Sequence, residues 1–195
     1  MNEELRGEDW GCGVSNGTLE GGVLELARTG DSFGFERIVR EYQSMVFSLA
    51  YYFLHDAGRA EEIAQETFLR LYQNLDRIES PAHLVQWLRK VTWRCAIDDS
   101  RKNSHQHSVS FDEAPEPAVE PKGGDLLAER SVRAMVASLP PRPRMMVILR
   151  YQEELELAEI AEVMGIPVNT VKSSLNRALG VLRSKLTRVL GDVTA

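Results

Sequence analysis

Paired carboxylates, closely spaced histidines and nucleophile–base sets are the first places to look for catalysis, and each is weak here. Asp98 and Asp99 are adjacent, but neighbours on a helix point about 100° apart and cannot share one reacting atom. His105 and His107 could begin a metal site, yet no cysteine or further histidine stands near them in sequence. Serines and histidines occur without any spacing that brings them together. No glycine-rich phosphate loop follows a strand. The residues thus carry no expectation of a catalytic centre, a metal or another cofactor.

A different chemistry is better represented, that of holding phosphates and bases. From Pro167 onward there are five cations, Lys172, Arg177, Arg183, Lys185 and Arg188, against one acid, Asp192. Asn169, Thr170, Lys172, Ser173, Asn176 and Arg177 fall on positions that the preceding segment leaves exposed, and all can bond phosphate oxygens or base edges. That segment supplies the scaffold. Ala161 is small where two helices must cross closely. Gly165 follows four residues later, where a tight turn wants positive φ. Val171 follows six later and points back between the helices. With Ile160, Met164, Ile166 and Leu175 this is the helix-turn-helix pattern, whose second helix begins with free amides suited to a phosphate.

A second cluster lies upstream. Lys90, Trp93, Arg94, Ile97 and Arg101 fall roughly on one helical face, with Trp87 and Arg89 at its margins. Rings interleaved with cations suit opened nucleic acid, because bases stack on rings while cations hold phosphates. Trp87 reads as partly core and Trp93 as exposed. One helix earlier, Glu61, Glu62, Gln65, Glu66 and Leu69 lie away from an apolar line. On the residues alone this is either a solvated acidic face or a dock for a basic partner helix.

The elements that must carry these groups are helices almost throughout. Thr18 can cap a helix over 19–28, and Asp31 or Ser32 the next. Asp56 can cap a third, with Ala64, Phe68, Leu71, Tyr72 and Leu75 as its apolar line. Ser80 and Pro81 open a fourth that buries Leu84, Leu88, Val91 and Cys95. Residues 103–124 lose the periodicity and read as a linker. Asp125 can cap a helix to about Leu139. Pro140, Pro141 and Pro143 then break the chain before helices over 144–151, 156–164 and 168–189. The expected fold is all-α: a mobile segment 1–17, a helical domain 18–102, a flexible linker 103–124 and a helix-turn-helix domain 125–195.

Composition agrees with a globular chain. Of 195 residues, 43% are hydrophobic and 27% charged, and the net charge is −6. The charge is segmented: −5 over 1–34, 0 over 35–102, −4 over 103–125 and +3 over 126–195. A low mean pI therefore does not exclude nucleic-acid binding by a local basic face. Two cysteines, Cys12 and Cys95, make no disulfide framework, and no apolar run could span a membrane. A cytoplasmic protein without membrane insertion is the expectation.

Five stretches together resemble the extracytoplasmic-function (ECF) sigma factors, the smallest sigma-70-like subunits of bacterial RNA polymerase. They are D-S-F-G-F-E-R-I-V-R-E-Y (31–42), A-E-E-I-A-Q-E-T-F-L-R-L-Y (60–72), W-L-R-K-V-T-W-R-C-A-I-D-D (87–99), L-P-P-R-P-R-M-M-V-I-L-R-Y (139–151) and T-V-K-S (170–173). The resemblance implies a specificity subunit rather than an enzyme. It implies a core-polymerase contact at Glu62, Gln65, Glu66 and Leu69. It implies minus-ten DNA contacts at Arg89, Lys90, Trp93, Arg94 and Arg101, and minus-thirty-five contacts at Asn169, Thr170, Lys172, Ser173, Asn176 and Arg177. The implied partners are core RNA polymerase and promoter DNA, both duplex and opened strand. The family often pairs with an anti-sigma factor, so such a partner belongs among the expectations. Departures are Ser174 where the family often has Arg, Asn176 where an aromatic or His is common, Arg89 in place of a frequent Tyr, and Arg94 in place of a frequent Asn. The residues alone leave two other readings, a dimeric helix-turn-helix regulator and a helical enzyme.

Overall fold

The computed structural model describes residues 21–106 and 126–193, and its elements there are helices apart from one short 3-10 turn, Leu75–Arg77. The helices are α1 (Gly21–Arg28), α2 (Ser32–Leu54), α3 (Ala57–Tyr72), α4 (Pro81–Gln106), α5 (Leu126–Ala137), α6 (Pro141–Tyr151), α7 (Leu157–Met164) and α8 (Val168–Val193). The segment 1–17, Thr18, Cys12, His107, Asp125 and most of the expected linker lie outside the described residues.

Local chemistry sets most boundaries. The Asp31 carboxylate accepts from the Phe33 amide at 2.8 Å and starts α2; that of Asp56 accepts from Arg59 N at 3.0 Å and starts α3. Ser80 Oγ accepts from His83 N at 3.1 Å ahead of Pro81. The proline cluster acts differently from the sequence expectation. Pro141 and Pro143 sit in the first turn of α6 instead of breaking the chain before residue 144. Amides there have no intrahelical partner, so prolines at these places cost no hydrogen bond. Helix α4 also runs to Gln106, four residues past the expected domain boundary.

In the N-terminal half, α2, α3 and α4 pack around Ile38, Tyr42, Val46, Phe68, Leu71, Leu84 and Leu88, with α1 laid across α2. The α1–α2 crossing depends on Gly34. A Cβ there would lie 2.5 Å from Ala27 N, so only glycine permits this approach. Tyr72, expected on the buried line of α3, is 59% exposed and meets Phe35 edge-on, with ring centroids 5.2 Å apart.

The C-terminal half does not stand apart. Its core of Leu139, Met145 to Leu149, Ile160, Val163, Val171 and Leu175 is continuous with Leu49, Phe53, Trp93, Ala96 and Ile97 of α2 and α4. Helix α6 packs on α2, and α7 packs on α4. The Arg144 guanidinium donates to the Phe53 carbonyl at 3.1 Å and to the carbonyls of Ala137 and Leu139, and it lies over the Phe53 ring. The two modules form one packed body, which amphipathic pattern alone does not predict.

Candidate polymerase and nucleic-acid interfaces

Three helices carry the candidate residues. On α3, positions 62, 65, 66 and 69 follow one another at three- and four-residue spacing and form a stripe on the side away from the core. Glu62 and Gln65 are exposed, and Glu66 is partly exposed and paired with Arg70 Nε at 2.6 Å. Leu69 is 53% exposed between such groups. Tyr72, one turn on, extends this patch and was missed because its spacing fits the buried line equally well. An acidic stripe ending in bare apolar side chains is suited to a basic, partly apolar helix.

On α8 and the turn before it, the helix-turn-helix expectation is met in detail. Gly165 has φ 66° and ψ 40°, the left-handed conformation that ends α7. Val171 is fully buried between the helices, with Ile160, Ala161 and Leu175 around it. Asn169, Thr170, Lys172, Ser173, Asn176 and Arg177 are all exposed. Arg177 Nε donates to the Ser173 carbonyl at 3.3 Å, which lays its guanidinium along the helix surface.

Helix α4 departs from expectation. It has three faces, not two. Leu84, Leu88, Val91 and Cys95 enter the N-terminal core. Lys90, Arg94 and Arg101 line a second face; Arg94 and Arg101 are exposed, Lys90 partly so. The third line, Arg89, Trp93 and Ile97, lies beneath the C-terminal half. Trp93 is 6% exposed, against the exposed position expected for it, with the Phe53 ring edge-on at 6.1 Å. Arg89 is 5% exposed, and its Nε donates to Glu153 Oε2 at 3.3 Å. Burial pushes the Glu153 carboxyl above the usual carboxylate range, and Arg89 opposes that shift. The sequence-predicted minus-ten set is therefore split, with three residues reachable and two covered. Trp87, expected to be partly core, is half-buried against the N-terminal core.

The other candidates have ordinary partners. Asp99 pairs with Arg59 and Asp98 with Arg101, so the two acids serve separate cations. His83 Nδ1 accepts from the Glu79 amide at 3.2 Å. Cys95 is buried. Among the described residues no cluster of His, Cys, Asp and Glu could hold a metal ion, and no helix is long and apolar enough to cross a membrane.

The same segments match two family models, sigma-70 region 2 over residues 38–106 and sigma-70 region 4 over residues 129–182. The chain is 29% identical over 180 residues to the ECF RNA polymerase sigma factor SigW of Bacillus subtilis, covering 84% of this chain and 94% of that protein. It is 31% identical over 150 residues to the RNA polymerase sigma factor SigV of the same organism, covering 77% and 89%. Among solved structures it is similar in fold to CnrH in complex with the cytosolic domain of CnrY. The TM-score there is 0.65 at 19% identity, covering 85% of this chain and 96% of the other. The sigma factor RpoE of Bartonella quintana, solved with the anti-sigma factor NepR, gives the same TM-score at 18% identity, covering 78% and 96%. With an exposed acidic stripe in the region 2 match, a built helix-turn-helix in the region 4 match and a relative above 30% identity across most of its length, the chain belongs to the sigma-70 family of RNA polymerase sigma factors, in its ECF group.

Proposed function

We propose that this sigma factor divides its work among the three helices just described. The stripe Glu62, Gln65, Glu66 and Leu69 on α3, extended by Tyr72, seats the chain on core RNA polymerase. Helix α4 engages the minus-ten element through Lys90, Arg94 and Arg101, and through Arg89 and Trp93 once they are uncovered. Asn169, Thr170, Lys172, Ser173, Asn176 and Arg177, exposed near the start of α8, read the minus-thirty-five duplex. Polymerase supplies the bond chemistry, and this chain supplies the address. The place of action is the cytoplasm, and an anti-sigma factor is the proposed negative partner, as in the solved complex of RpoE with NepR.

The observation that carries this reading is the exposure of the α3 stripe and of the α8 reader on one chain. Each is weak alone. Together they give a protein that can touch an enzyme and a duplex at once, which multiplies two modest affinities by effective concentration.

The test is run-off transcription with purified core polymerase on genomic promoter fragments, with and without this chain. Glu62→Lys with Glu66→Lys should abolish specific transcripts. Both side chains are at the surface, and the exposed Glu66–Arg70 pair contributes only about 0.3–0.5 kcal/mol. The double variant should thus melt within a few degrees of the parent by circular dichroism. Full activity in the double variant would remove α3 as the polymerase contact.

A further inference from the structure

We propose that Asp99 is a positioning residue: by holding Arg59, at the head of the α3 stripe, it fixes the last turns of α4 against the helix that meets polymerase and so aims Arg101 and Lys102 at opened promoter DNA. This rests on the assignment of α3 to polymerase and of α4 to DNA made above.

Helices α3 and α4 run antiparallel, so the start of one lies beside the end of the other. Ala60 and Ile63 of α3 pack there with Val91 and Cys95 of α4. Such apolar contacts hold two helices close, but they are non-directional and fix neither sliding nor rotation well. A charge-assisted hydrogen bond does both. Arg59 Nε donates to Asp99 Oδ2 at 2.8 Å, and Nη2 donates to the same oxygen. The exposed pairs Glu66–Arg70 and Asp98–Arg101 each lie within one helix, whereas Arg59 and Asp99 stand 40 residues apart and join two. Their side chains are 29% and 25% exposed, enough shelter to spare the pair from full screening.

Both ends of the bond are well placed for this task. Arg59 continues the dock stripe, since positions 59, 62, 66 and 69 follow at spacings of three, four and three. Its backbone is held by the α3 cap, where the Asp56 carboxylate accepts from Arg59 N at 3.0 Å. Beyond Asp99, Ser100 to Gln106 extend α4 by roughly two turns, about 10 Å. Arg101 and Lys102 lie on that extension, and both are exposed. A small rotation at Asp99 therefore becomes a larger displacement of these two cations. Seating the α3 stripe on polymerase places Arg59, Arg59 places Asp99, and Asp99 places the cations.

The test uses holoenzyme on a fragment that the parent transcribes in the run-off assay, with 2-aminopurine in its minus-ten element to report strand opening. Labelled chain titrated with core polymerase gives the core affinity separately. Asp99→Asn should bind core within twofold of the parent yet open the promoter about fivefold less, the effect of losing one well-made, partly screened pair. Arg59→Gln should show the same loss, and the double variant should lose no more than either alone. Asp99→Asn should cost nothing further when added to Arg101→Ala with Lys102→Ala, a result that general loosening of the fold would not give. If Asp99→Asn melts well below the parent, Arg59→Gln in that same background decides the matter. Full opening in both single variants, additive losses in the double, or a continued loss without Arg101 and Lys102 would each overturn the proposal. An equal fall in core affinity would overturn it too, by assigning the pair to the dock. Run-off with the parent separates this idea from the one beneath it. A parent that starts no transcript defeats the assignment of function; an active parent with unimpaired Asp99→Asn and Arg59→Gln defeats the positioning role alone.

Discussion

His55 is the residue at which the docked arrangement can be read by pH. It caps α2 with φ 55°, donating its backbone N–H to the Tyr51 carbonyl at 2.7 Å, and its buried Nε2 has no hydrogen-bond partner. Burial pushes its pKa below the ordinary 6.5, and the cations of Arg144 and Arg133 push the same way. Both cations belong to the C-terminal half, so protonating His55 opposes docking as well as folding. The folded chain prefers the neutral ring; stability is therefore intact above about pH 6.5 and is lost as pH falls through the depressed value. Glu153 acts in the opposite sense, because a raised carboxyl pKa favours proton uptake on folding as pH drops toward 4.5. A variant isolates the histidine. Asn tolerates the left-handed conformation, so His55→Asn keeps the cap. The Tm of the parent should fall relative to His55→Asn between about pH 7.5 and pH 5.5 and run parallel to it at higher pH. A difference that stays flat across that range would mean that His55 is solvated and that the two arginines do not face it.

At the scale of the element, α8 makes the sharpest quantitative claim. Lys172 and Arg177 are exposed cations on the reading face, and each neutralised phosphate contributes about 0.9 to the salt slope of duplex binding. Lys172→Ala with Arg177→Ala in the holoenzyme should weaken binding to promoters that need the upstream element, and reduce the slope of log K against log salt by about 2. An unchanged slope would place these cations off the backbone. This helix was also the most legible part of the sequence. Ala161, Gly165 and Val171 act within a dozen residues, so their spacing alone dictates the turn and the crossing. The stripe on α3 was legible as a surface, but only the family resemblance turned a solvated acidic face into a dock. Helix α4 was legible on one face and opaque on the others. A helix buried on two sides has no single apolar stripe, and periodicity cannot say which flank meets a distant segment. Trp93 and Arg89 were therefore placed at the surface, although Leu84, Leu88, Val91 and Cys95 were placed correctly. The prolines at 141 and 143 misled for a simpler reason: a helix start and a helix break use the same residue, and only the following hydrogen bonds distinguish them.

The whole molecule must be able to come apart, and geometry sets how far. Nineteen residues separate Gln106 from Leu126. As free coil they would span about 24 Å r.m.s., and about 65 Å when fully drawn out. Promoter elements more than two duplex turns apart lie beyond about 70 Å, so the widths of the two halves must supply the remainder and the connection must be far from relaxed. A free chain has no reason to adopt that state. It loses the shared core of Phe53, Trp93, Met145 and Ile148 together with the Arg144–Phe53 and Arg89–Glu153 bonds, and gains nothing until something binds both separated halves. Core polymerase is that something if the α3 stripe is its dock. Donor and acceptor dyes at Gln73→Cys and Val181→Cys, both exposed, report the separation in a Cys12→Ser background, with Cys95 protected by burial. Energy transfer should be high in the free chain, should fall when core polymerase is added, and should fall without promoter DNA present. A fall that requires DNA would assign the opening to the promoter. Transfer that stays high in active holoenzyme would mean that the body of α1–α8 enters the polymerase whole, and that one end of it reads DNA by a route that leaves Trp93 covered.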